Sequence, residues 1–252
     1  MTVELRRRPE AALAYHVLAH LPLSRDAASL YDDTLPPRPW VGELHDAYAT
    51  APGRLHLQAV GLRWSEGLDR LHEAAPPGLR DGSGAVLLER FLGAVAAERE
   101  SFTASWRATE VEAEARRIAV ERELREPLQR LRAALWEQQG PPPPLTVLDC
   151  PALGLAGRGG SDERGHLVAV SLAAPLEHLL CQILHEEVHV VTDPVVRAEG
   201  GSAAQDTRAG TPGHALHAAL EHAAIEVGRA VIEARAPEWT QAYARWQSRF
   251  GR

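Results

Sequence analysis

Apolar residues recur at helical spacing along most of this 252-residue chain. "PEAALAYHVLAHL" reads as a short amphipathic helix near the N-terminus. "LPPRPW", "APG" and "APPGLRDGSG" are breaks, because Pro and Gly cannot continue a regular element there. From Ala85 to Gln139 the pattern is long, charged and rich in Ala, Leu and Arg, with Leu124, Leu128, Leu131 and Leu135 on one face. Pro127 is expected to kink or interrupt it. Residues 1–139 therefore read as mostly helical. The run 140–145, "GPPPPL", stops all helix and acts as a stiff spacer.

After the spacer the period changes. "LTVLDC" and "HLVAVSLA" are β-like runs separated by the Gly-rich "GLAGRGGSDERG", which predicts a hairpin or two neighbouring strands. Pro175 opens a helix through "HLLCQILHEEVHVV", followed by a long loop beginning at "DPVV". Pro212 opens another helix and Pro237 a last one. The expected fold class is α+β and predominantly helical. A helical N-terminal region, 1–97, precedes a region 98–252. The second region holds a long helix, the spacer, a small sheet and two further helices that carry the chemistry.

Bulk properties narrow the class. A hydrophobic content of 45% and a charged content of 24% are ordinary for a globular protein. The net charge of −7 supplies no basic field for nucleic acid or an anionic membrane. No window approaches 18 uninterrupted apolar residues and no signal peptide is evident, so a cytoplasmic protein is expected. The two cysteines, Cys150 and Cys181, are too few for a disulfide framework.

The candidate chemistry lies in His185-Glu186-Glu187-Val188-His189. With 12 His and 24 Glu, chance gives an HExxH in about one such sequence in twenty, so the context has to support it. Residues four apart share one face of a helix, and two imidazoles so placed can hold one tetrahedral metal. Glu186 lies about 100° round the helix from His185, beside the metal, where a carboxylate can serve as general base toward water. Leu179, Leu180, Ile183, Leu184, Val190 and Val191 fall on the opposite side, and His178, Cys181, His185 and His189 form a strip of potential ligands. Glu187 points into the apolar side and is expected to pair with an Arg, because an unpaired buried charge is costly.

A third ligand is sought on the helix after Pro212. His222, Glu226, Arg229 and Glu233 fall together on a solvated face, with Arg229 and Glu233 spaced for a pair. His214, His217 and Glu221 fall among Ile225 and Ile232 instead. Glu221 ranks first as ligand, His217 second and His214 third. Asp193, one turn after His189, is placed to orient an imidazole.

With "HEEVH" and "LEHAA" (Glu221, with Ala224 three on), the chain resembles the zincin metallopeptidases, in the gluzincin branch. The resemblance implies a zincin-like catalytic region and a zinc ion (Zn2+) held by His185, His189 and Glu221. It also implies hydrolysis of peptide bonds in a peptide or protein substrate, with Glu186 as general base. "HLVAVSLA" stands where zincins place a strand near the substrate cleft. The chain departs from the metzincin and thermolysin-like patterns beyond HExxH.

Two alternatives stay open. One is a helical interaction protein with a structural or vestigial metal site, taking a protein partner through its N-terminal helical region. The other is a zinc amidohydrolase that uses Cys150 as ligand. "HVLAH" (His16, His20) repeats the four-residue spacing without the Glu and reads as a core or surface pair.

Overall fold

A computed structural model describes residues 3–21, 38–51, 57, 75, 77–162, 165–200 and 212–250, with side chains through residue 194 in the sixth of these segments. It is a mostly helical α+β structure around a four-stranded mixed sheet. In chain order the elements are β1 (Val3–Arg7), α1 (Pro9–Ala19), α2 (Val41–Thr50), α3 (Gly82–Ala108) and α4 (Glu110–Leu135). They continue with β2 (Leu145–Asp149), β3 (Gly157–Asp162), β4 (Gly165–Val170), α5 (Leu176–Gly200), α6 (Pro212–Arg235) and α7 (Thr240–Phe250). The first half of the break expected at "LPPRPW" and most of the one at "APG" lie outside the described residues, while 38–40 form a turn that leads into α2.

The strand order is β1-β2-β4-β3. β1, β2 and β4 are parallel, and β3 is antiparallel to β4. The two runs read as strands are therefore neighbours, β2 and β4, with Val147 opposite Val168. Two strands are new. β1, "VELRR", lies in a stretch that reads as helical, yet it pairs along its length with β2. β3 lies inside the Gly-rich segment that reads as a connection. Both are edge strands, where polar and Gly-rich sequence is tolerated because only one side of the backbone is paired.

Strand periodicity distributes the core. Leu148, Leu167 and Ala169 face one side of the sheet and join α1, α2 and α3. Leu145, Val147, Val168 and Val170 face the other and join α4, α5, α6 and α7, together with Val3 and Leu5 of β1. Both faces are covered, which is why β4 reads as a continuous apolar run. α1 is likewise buried nearly all round rather than amphipathic, with seven residues from Ala11 to Val17 including only His16 above the buried range.

Pro127 does not end its helix. The break in the long 85–139 pattern falls at Thr109, between α3 and α4, and α4 runs on through Pro127. The carbonyl that Pro127 leaves unpaired, that of Glu123, lies on the exposed side, where water can take it. α5 similarly runs past Pro194 to Gly200, so the stretch 194–200, expected as loop, is helical. The spacer is pinned at the C-terminal end of its proline run: Pro143 O accepts from Arg132 Nη2 at 2.6 Å and Pro144 O from the His166 N–H at 2.9 Å. Among the described residues no helix is long and apolar enough to cross a membrane.

Candidate metal centre

α5 lies against the sheet on the β3 side, and its approach depends on missing side chains. A Cβ on Gly157 would stand 2.6 Å from Gln182 Cγ, and one on Gly159 would stand 2.9 Å from both Cβ and Oε2 of Glu186. Residues two apart in a strand share a face and residues four apart in a helix share a face. The rises match as well, about 6.6 Å along the strand against about 6 Å along the helix. The alternate glycines of "GRGG" thus form a flat track along which α5 runs, with Glu186 directly beside the edge strand.

The buried side of α5 is secured by Glu187. Its Oε2 accepts from Arg132 Nε at 2.6 Å, and its Oε1 lies 2.6 Å from His166 Nδ1. Arg132 and Glu187 have no exposed side-chain surface. The arginine expected for Glu187 is therefore on α4, and β4 supplies a second partner. Such a buried pair fixes the rotation of α5 about its axis, because turning the helix would strand a charge in the core.

That rotation presents His185 and His189 on the opposite side. Their Nε2 atoms are 3.1 Å apart. Glu221 of α6 completes the group, with Oε2 at 3.1 Å from His185 Nε2 and Oε1 at 3.6 Å from His189 Nε2. Two donors each 2.0–2.1 Å from a tetrahedral metal are separated by about 3.3–3.4 Å, so these spacings fit a zinc ion. The three donor atoms all lie within 4.8 Å of one another.

Around the donors the support is uneven. His189 Nδ1 is 2.9 Å from Asp193 Oδ1, the arrangement that fixes which imidazole nitrogen faces a metal. His185 Nδ1 is buried with no hydrogen-bond partner among the described residues, and the ring packs against Trp246 at 5.0 Å between centroids. Burial pushes the His189 pKa down, but the bonds to Asp193 and Glu221 and the negative charge of Glu221 and Glu186 raise it to about 10. Burial pushes the Glu221 carboxyl up, but the hydrogen bonds and charge of His185 and His189 hold it well below the usual carboxylate range. His189 and Glu221 thus favour each other's charged form.

Glu186 is itself held. Gln182 Nε2 donates to its Oε1 at 2.8 Å, and Trp246 Nε1 donates to Gln182 Oε1 at 3.1 Å. Sequence reading missed Gln182, Trp246 and the two glycines. Gln182 does lie one turn before Glu186, which is a signal, but Trp246 sits on α7 and only the fold brings it near.

Other candidates fall elsewhere. His217 Nε2 is 3.7 Å from Glu221 Oε1 and half exposed, beside the carboxylate rather than among the three donors. His214 is exposed. His178 Nε2 faces Leu155 O at 2.5 Å. Cys181 is a buried core residue whose thiol is pushed up to about 12, chiefly by burial. Cys150, considered as a ligand, is buried among Leu148, Leu153 and the α1–α3 side chains, and burial pushes its thiol well above its ordinary value. It is not among the donors gathered at His185. On the solvated face of α6, Arg229 pairs with Glu226 at 3.0 Å, three residues before it, rather than with Glu233.

No family model, curated protein or solved structure matches the chain.

Proposed function

We propose that the chain is a zinc-dependent metallopeptidase of the zincin type, gluzincin-like in drawing its third ligand, Glu221, from a later helix. The observation that carries this reading is the convergence of His185, His189 and Glu221 while Glu186 stands beside the edge strand β3. A zinc ion there would polarise a carbonyl and acidify water. The chain's own residues supply the rest. Glu186, kept in place by Gln182 and through it by Trp246, accepts the proton as water attacks the carbonyl carbon and returns it to the departing amine. β3 is an edge strand of the sheet. An extended peptide can add to it by main-chain hydrogen bonds, which selects for unfolded segments of protein and places the bond to be cut near Glu186.

A second reading is a helical interaction protein whose metal centre is structural. It draws on Val111 and Ile118, seven apart on α4 and 86% and 55% exposed.

The test is cleavage of a mixed peptide library by zinc-loaded protein, with products identified by mass. Glu186→Gln keeps the side chain's shape but cannot accept the proton. It is expected to lower the rate by at least about 100-fold, the lower end of what a positioned base contributes, while zinc content stays unchanged. Undiminished cleavage by the variant would overturn the mechanism. No cleavage by folded, zinc-loaded wild-type protein would favour the interaction reading.

A further inference from the structure

A second His-His-Glu group stands on the far side of the sheet. His16 and His20 are one turn apart on α1, and their Nε2 atoms are 3.4 Å apart. Glu98 of α3 faces them, with Oε2 at 3.5 Å from His16 Nε2. The three donor atoms lie within 4.8 Å of one another. We infer that His16, His20 and Glu98 form a second binding site for a divalent transition metal, of the zinc class, that fastens α1 to α3.

The spacing carries the inference. A charge-assisted bond from imidazole to carboxylate is about 2.7–2.9 Å long, well short of 3.5 Å. Two ligands of one tetrahedral ion are about 3.3–3.4 Å apart, and the measured 3.4 and 3.5 Å agree with that figure. The carboxylate is also aimed. Trp40 Nε1 donates to Oε1 at 3.1 Å and Arg38 Nε lies 2.9 Å from the same oxygen, so Oε2 is the one turned to the imidazoles. Holding one oxygen of a ligating carboxylate from behind is a usual feature of metal sites. Two imidazoles and a carboxylate suit zinc over the hard cations calcium and magnesium, which take oxygen ligands. The Glu98 side chain is 5% exposed and that of His16 is 18% exposed, so the donors are largely shielded from solvent. Arg38 shares the carboxylate, so this site fills after the one at His185. It does not depend on the peptidase reading.

The experiment uses full-length protein, zinc alone as probe, removal of free metal by gel filtration, and elemental analysis. Wild-type protein at saturating zinc should carry two equivalents per chain. His16→Ala should carry one, and so should Glu98→Gln, with circular dichroism unchanged. His185→Ala/His189→Ala should also carry one, and adding Glu98→Gln to it should leave none. In that double variant zinc should raise the thermal unfolding midpoint, and with Glu98→Gln added it should not. The affinity lost on replacing a donor should exceed the 10–100-fold that outer partners of a ligand carry. Two full equivalents in His16→Ala, or no zinc in folded His185→Ala/His189→Ala, would overturn the second site. No zinc in His16→Ala would instead count against the His185 centre, so the two failures are distinguishable.

Discussion

Glu221 and Glu226 are both on α6, and their side chains are exposed to similar extents, 38% and 46%. Burial does not separate them; their neighbours do. Glu221 faces two imidazoles, whereas Glu226 faces Arg229 in a surface pair of the kind worth under about 1 kcal/mol. Glu221→Ala should therefore remove one equivalent of bound zinc per chain. Glu226→Ala should remove none and change stability by less than about 0.5 kcal/mol. Elemental analysis and urea unfolding of the two variants check this. The reverse pattern would show that the wheel position of Glu221 was misread, and zinc loss confined to His217→Ala would point to an all-histidine site.

The elements of the centre depend on how closely a helix can lie against a strand. Gly159 is the glycine that meets the helix backbone as well as a side chain, since a Cβ there stands 2.9 Å from two side-chain atoms of Glu186 and 3.2 Å from its backbone oxygen. The backbone cannot swing aside, so Gly159→Ala should cost about 1–3 kcal/mol through overpacking. If the peptidase reading is right, it should also lower cleavage by displacing the base. Gly93, exposed in the middle of α3 with nothing within 4 Å of its Cβ position, is the control. Gly93→Ala should gain about 0.5–1 kcal/mol, because alanine is the better helix former. Equal effects at the two glycines, read by denaturant unfolding, would refute the close-approach argument.

Across the whole molecule, Glu187 joins three elements through Arg132 of α4 and His166 of β4. Removing one member of such a buried group leaves an uncompensated charge. Glu187→Ala should cost about 3–5 kcal/mol. Arg132→Met/Glu187→Leu should cost less than the single change, because no charge remains to be stranded. A double variant as unstable as Glu187→Ala, measured in urea, would mean that the cost is packing rather than charge. Loss of zinc from either variant would show further that this group sets the direction in which His185 and His189 point.

The sequence by itself determined the elements whose period is strong, and the donors within one helix. Four-residue spacing put His185 and His189 on one face, the apolar remainder of α5 put Glu187 in the core, and the wheel of α6 singled out Glu221. Local helix geometry fixes those relations wherever the helix goes. It did not determine β1 or β3. "VELRR" is short and charged and "GRGGSD" is poor in β-formers, so each becomes a strand only because β2 or β4 offers a partner edge. Nor did it determine which arginine meets Glu187, that Trp246 reaches Gln182, or that Glu98 reaches His16, pairs 55, 64 and 82 residues apart. Such contacts leave no periodic trace in the chain. They exist because the sheet is covered on both faces and brings together helices that are distant in sequence.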